Sequence, residues 1–183
     1  MDDRLSGPTT DESDKKQLEL SKKQGDAFLA AVKEMTESEA DSGNLRVTDD
    51  YLVGYAIEKA EGMYIWEGEE LVWKNPSTEN AHIEVVVADR YDGRFIPGLN
   101  VKVTLYDDKG EEIGAHTQPY LWHPWLYHYG RNWGIAASGI YTLKIDVKPP
   151  PYSRHDKVHG KRHCTPVSVR FEKVYIETGQ KLS

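Results

Sequence analysis

Three histidines, far apart along the chain, stand beside residues that could share a metal ion with them. They are His82 in His82-Ile83-Glu84, His128 in Tyr127-His128-Tyr129-Gly130 and His155 in Arg154-His155-Asp156. Neutral imidazole is the commonest protein ligand for transition metals. On a β-strand, residues two apart project to the same side. His82 and Glu84 would therefore point together, while Ile83, Val85 and Val87 point the other way. The apolar set should face the core, which leaves His82 and Glu84 on the accessible side. There they are either a ligand pair, with the carboxylate ligating or orienting the ring, or a polar pair with no task.

Residues 118–133 carry His123 and His128 among six aromatic side chains. Pro119, Pro124 and Gly130 argue against a long regular helix. So apolar a loop must cover or bind something. Three readings stand level: the dry surround of a metal pocket, a sugar-stacking platform of Trp122, Trp125, Tyr127 and Trp133, or a packed loop or dimer contact. The stretch 154–164 holds His155, His159, His163 and Cys164. The zinc-protease helix needs Glu beside its first His, and Asp156 stands there instead. Three prolines before it and Gly160 within it oppose a helix, so this segment reads as a loop delivering one ligand, with Asp156 as that ligand's partner, or as a basic surface loop. An isolated cysteine such as Cys164 is more often a small buried hydrophobe than a ligand.

The elements that must position these groups follow from periodicity. Residues 1–16 are polar and acidic and predict a disordered tail. Residues 17–38 predict a helix, since Phe28, Leu29, Val32 and Met35 recur at spacings of three and four, although Gly25 weakens it by about 1 kcal/mol. Residues 41–44 read as a linker that closes the 17–44 segment. From 45 to 183 the period is two: Tyr51 to Ile57, a 63–66/71–73 hairpin, 82–88, 101–105, 141–147 and 167–171. This predicts an all-β, immunoglobulin-like antiparallel sandwich with an N-terminal helical extension.

The chain has 183 residues, a formal net charge of −7 and one cysteine. The size suits one domain with an appendage. The acidity disfavours nucleic acid as a partner and suits a cation. The lone Cys164 excludes an intramolecular disulfide. No apolar run reaches the roughly 18 residues of a membrane span, and the first ten residues lack the pattern of a signal peptide. A cytoplasmic protein, or one whose leader has been removed, fits that start. Neither a nucleophile elbow nor a phosphate-binding glycine loop occurs, and the chain begins with Met1 where a copper-oxygenase histidine brace needs His. The reading is therefore a binding protein, not an enzyme.

Taken in order, these pieces resemble one family, the periplasmic ferrous-iron-transport proteins, also met as a treponemal membrane-antigen lipoprotein. The resemblance rests on His82-Ile83-Glu84, Phe95-Ile96-Pro97-Gly98-Leu99-Asn100-Val101, Gln118-Pro119-Tyr120, His128-Tyr129-Gly130, Gly139-Ile140-Tyr141-Thr142-Leu143, Pro149-Pro150 and His155-Asp156, across roughly residues 50 to 175. It implies a dimerising sandwich that binds copper or iron beside a membrane iron permease, outside the cytoplasm. It implies His82, His128 and His155 as copper ligands and Glu84 in a neighbouring iron or manganese site. The family's methionine falls here on Tyr120 or Leu121, neither of which offers a thioether; His123 could then complete a four-histidine site suited to Cu(II), Zn(II) or Fe(II). The reading from another class is a carbohydrate- or protein-binding immunoglobulin-like module that uses the aromatic loop.

Overall fold

The structure, a computed structural model, describes residues 10–181. Helix α1 (Lys15–Glu34) opens with a capping box: the Asp14 carboxylate accepts from the Gln17 N–H and the Gln17 side chain accepts from the Asp14 N–H. It continues into a π-helical turn (Met35–Glu39). Of the expected disordered tail, residues 1–9 lie outside the described residues, and Lys15 and Lys16 already belong to the helix. The segment read as a linker instead starts β1 (Ser42–Thr48).

Ten further strands follow: β2 (Tyr51–Glu58), β3 (Met63–Glu67), β4 (Glu70–Lys74), β5 (Ala81–Asp89), β6 (Asn100–Tyr106), β7 (Glu112–Gln118), β8 (Tyr120–Trp122), β9 (Tyr127–Trp133), β10 (Gly139–Lys148) and β11 (Val167–Ile176). They form the antiparallel sandwich that the alternation predicts. One sheet has the order β1-β2-β5-β9-β8 and the other β11-β10-β6-β7, while β3 and β4 pair as a separate hairpin. The aromatic loop is thus a hairpin of β8 and β9 at the edge of the larger sheet, with His123 in its turn.

The alternating residues meet between the sheets. Ile83, Val85 and Val87 of β5 pack with Val101, Val103 and Leu105 of β6 and with Leu143, Ile145 and Val147 of β10, all essentially buried. Each such side chain is worth about 1.5–3 kcal/mol of burial. Tyr129 of β9 joins them; its hydroxyl donates to the Ile96 carbonyl and accepts from the Leu99 N–H.

A second, smaller cluster lies on the outer face of the larger sheet. Val32 and Met35 from the helical segment pack on Ala56 of β2, Val86 of β5 and Leu126 of the β8–β9 turn. Gly25 is what lets the helix come so close. A Cβ there would lie 1.7 Å from the Asp92 carbonyl oxygen. The residue read from sequence as a weak point of the helix is its docking point on the sandwich.

Candidate metal centre

The site lies on the outer face of the larger sheet, where β5 sits between β2 and β9. Directly paired residues in an antiparallel ladder share a face. Glu84 pairs with Gly130, and His82 with Asn132. His128 lies two residues before Gly130 on the same face of β9, and Leu121 of β8 pairs with it from the far side. Strand geometry therefore aims His82, Glu84 and His128 at one spot, and Gly130 leaves that spot open. A Cβ on Gly130 would come within 3.2 Å of His82 Nε2, His128 Cδ2 and Leu121 Cδ1.

The side chains of His82, Glu84 and His128 converge, whereas the resemblance implies His155 beside the two histidines and Glu84 in a neighbouring site. One ligand atom from each lies within 4.8 Å of the others. Glu84 Oε1 is 3.1 Å from His128 Nε2 and 3.6 Å from His82 Nε2. The two rings stand nearly perpendicular, at 89°. Among the described residues, His82 Nε2 and both nitrogens of His128 are buried with no hydrogen-bond partner, although His128 Nε2 lies 3.1 Å from Glu84 Oε1. Such orphaned atoms are costly and need an explanation. Lone pairs turned toward a shared cation supply one.

Asn132 selects the tautomer of His82. Its Oδ1 lies 2.9 Å from His82 Nδ1, and its Nδ2 donates to the Glu61 carbonyl. Since the amide oxygen faces the ring, Nδ1 carries the proton and Nε2 keeps its lone pair for the site. A partner of this kind raises ligand basicity and fixes ring orientation. Asn132→Ala should therefore weaken metal affinity about 10- to 100-fold while removing no ligand, a change that calorimetric titration measures.

Glu84 is held as a carboxylate. Burial alone would push its carboxyl up, but the His128 imidazole, with His82 and His123 beyond it, outweighs burial and sets it below its ordinary value. A carboxylate oxygen between two imidazole nitrogens is a donor set for a borderline divalent ion.

One expectation is corrected. His82 and Glu84 do not lie on an accessible side: His82 is 0% and Glu84 6% exposed, and all nine residues of β5 are buried. The docked helix and the β8–β9 turn cover a face that the strand pattern alone would leave in solvent.

His123 stands at the margin of the cluster, its ring centroid 6.4 Å from that of His128. Its Nδ1 has no partner among the described residues, and it borders a cavity of about 90 Å³ together with Glu39, Glu58, Glu61 and Glu84. His155 is not brought to the cluster within this chain. It is exposed on the 149–166 loop, and His163 of the same loop lies 3.1 Å from Asp89 at the opposite end of β5. Asp89 lies seven residue steps along the strand from His82, about 23 Å. Asp156 binds the Val158 and His159 N–H groups and the His159 ring, and gives His155 no support. Cys164 is exposed, where a buried hydrophobe had been expected.

Register distinguishes the two residues at the position where the resemblance expects methionine. Leu121, not Tyr120, faces His128. Tyr120 stacks instead with Phe95 and Tyr127. Asn132 escaped notice in the sequence and Gly130 was read as a helix breaker and part of a motif, not as an opening, although both lie at even spacing from His128 on one strand.

Residues 31–176 match the family model described as Fe2+ transport protein. FetP of uropathogenic E. coli strain F11 is 21% identical, with 73% of this chain and 93% of that chain covered and a TM-score of 0.59. A copper-bound variant of FetP gives 20%, 74%, 90% and 0.60. Copper-reconstituted P19 protein from Campylobacter jejuni is 16% identical, with 76% of this chain and 96% of that chain covered and a TM-score of 0.62. At these identities the likeness to the solved structures is one of fold. No curated protein matches.

Proposed function

The chain belongs to the Fe2+ transport protein family, and from that premise we propose that it binds a transition-metal ion, copper or iron, as an accessory or carrier in iron uptake. The ion is held by His82, Glu84 and His128, with His123 at the margin. The observation that carries this reading is a buried, ionised carboxylate flanked by two imidazoles whose facing nitrogens have no other partner among the described residues. The copper-bound states of FetP and P19 support copper as one ion the fold accepts. Zinc fits the same nitrogen and oxygen donors.

The partners follow from the resemblance: a membrane iron permease that receives the ion, and a second copy of the chain. In a homodimer His155 could reach the cluster of the other copy, which its own strand geometry denies it. Expression of FetP in the periplasm supports an extracytoplasmic location.

Stoichiometric titration with Cu(II) and Fe(II), followed by calorimetry, tests the proposal. One equivalent should bind with a rise in melting temperature, because a ligand that binds only the folded state must stabilise it. His82→Ala and His128→Ala should abolish both effects. Wild-type affinity in both variants would place the site elsewhere.

A further inference from the structure

Among the described residues, one ammonium side chain, that of Lys181, borders the cavity beside Glu84. Glu39, Glu58, Glu61, Glu84, His123, Trp125, Leu126 and Lys181 enclose the small cavity beside the cluster, and the side chains that matter grade outward from interior to solvent. Counting side-chain atoms alone, Glu84 is 7% exposed, Glu58 13%, Glu61 30% and Lys181 48%. The Lys181 ammonium pairs with Glu58 and lies 3.1 Å from Glu61 Oε2. Glu84, more than nine-tenths buried, borders the same space and lies 3.1 Å from His128 Nε2.

Lys181 is not a loose side chain that happens to reach the acids. The Ala60 N–H donates to the Gly179 carbonyl and the Lys181 N–H to the Ala60 carbonyl, while Gly179 N–H donates to Asn80. The Gln180 amide binds the Ser77 and Glu79 carbonyls. Five hydrogen bonds thus hold residues 179–181 across the mouth of the cavity.

We infer that Glu58 and Glu61 form the access route of the divalent cation to the His82–Glu84–His128 cluster, and that Lys181 is a tethered competitor that closes this route until the cation displaces it. The inference rests on the metal-binding reading of the cluster and goes beyond it. Four carboxylates around one low-dielectric cavity focus a field that draws cations inward. One fixed ammonium at the outer pair cancels part of that field and occupies the place an arriving ion would use first. A divalent ion, with twice the charge, competes for the same oxygens; a monovalent ion gains little over the ammonium already there.

The test is stopped-flow binding of Cu(II) to the full chain, read by tryptophan fluorescence, since Trp125 borders the cavity. Lys181→Ala should speed association about tenfold and steepen its dependence on ionic strength. Lys181→Arg, which keeps the charge, should retain the slow wild-type rate. A rate in Lys181→Ala within twofold of wild type, or a Lys181→Arg protein as fast as Lys181→Ala, would overturn the gate. His128→Ala separates the two levels. If it removes the slow binding phase, the cluster reading stands and the Lys181 variants judge the gate. If Cu(II) binds it as it binds wild type, the cluster reading fails whatever Lys181 does.

Discussion

Replacing Glu84 with glutamine is expected to lower divalent-metal affinity by about 100-fold or more with the fold retained. Glutamine keeps the shape and removes the one formal charge among the three converging groups. Two unit charges at 4 Å attract by about 4 kcal/mol at the effective dielectric of a protein site, and a bound divalent ion is closer and more highly charged. Relief of the buried charge in the metal-free protein gives part of this back. About 2.7 kcal/mol, the equivalent of 100-fold, is what survives on a conservative view. The same variant has a second signature. The folded-state pKa of Glu84 is depressed, because the imidazoles of His128, His82 and His123 outweigh the upward push of burial. The linkage that follows is stability present above the unfolded carboxyl value, about 4.3, and lost as pH falls through the folded value. Urea unfolding of the metal-free protein between about pH 6 and 3 should therefore show a shallower acid-side loss in Glu84→Gln than in wild type. Equal slopes would mean that the carboxyl titrates normally and that the imidazoles do not hold it.

Replacing Leu121 with methionine should raise Cu(I) affinity about tenfold or more and leave Fe(II) affinity unchanged. Leu121 faces His128 across β8 and β9, and its Cδ1 borders the opening that Gly130 leaves. Leucine and methionine have nearly the same volume, so the exchange should cost less than about 1.5 kcal/mol. It sets a thioether where only carbon now stands, and soft sulfur favours Cu(I) over harder divalent ions. Competition against a Cu(I)-specific chromophoric chelator, with Fe(II) titration in parallel, measures the difference. A parallel gain for both metals would point to repacking, not to a new sulfur ligand. No gain for either would show that position 121 does not look onto the ion. The same exchange at Tyr120 serves as a control, since Tyr120 stacks with Phe95 and Tyr127 away from His128.

How far the site was legible in the chain differs from residue to residue. The pairing of His82 with Glu84 was plain, because strand parity ties side chains two apart to one side whatever else the protein does. Ile83, Val85 and Val87 were correctly read as core for the same reason. Gly25 was legible only as a weak point of the helix, and the approach of the 92–94 turn reveals why glycine stands there. The 118–133 segment left three readings open because two prolines and a glycine hide short strands. Once β8 and β9 pair, His123 falls in the turn and His128 on the covered face. His155 carried as good a local pattern as His128, yet its loop is fastened to the Asp89 end of β5.

The amino-acid order, taken alone, determined which side chains share a strand face and therefore that an imidazole and a carboxylate must project together. Backbone stereochemistry enforces that over two residues, with no help from the rest of the chain. Only the tertiary structure decided that this face is buried, that His128 joins it while His155 does not, and that Leu121 and Asn132 stand beside the ion-sized opening. Those outcomes depend on strand order and on a helix docked from about fifty residues away, where the contacts are made by packing and not by spacing.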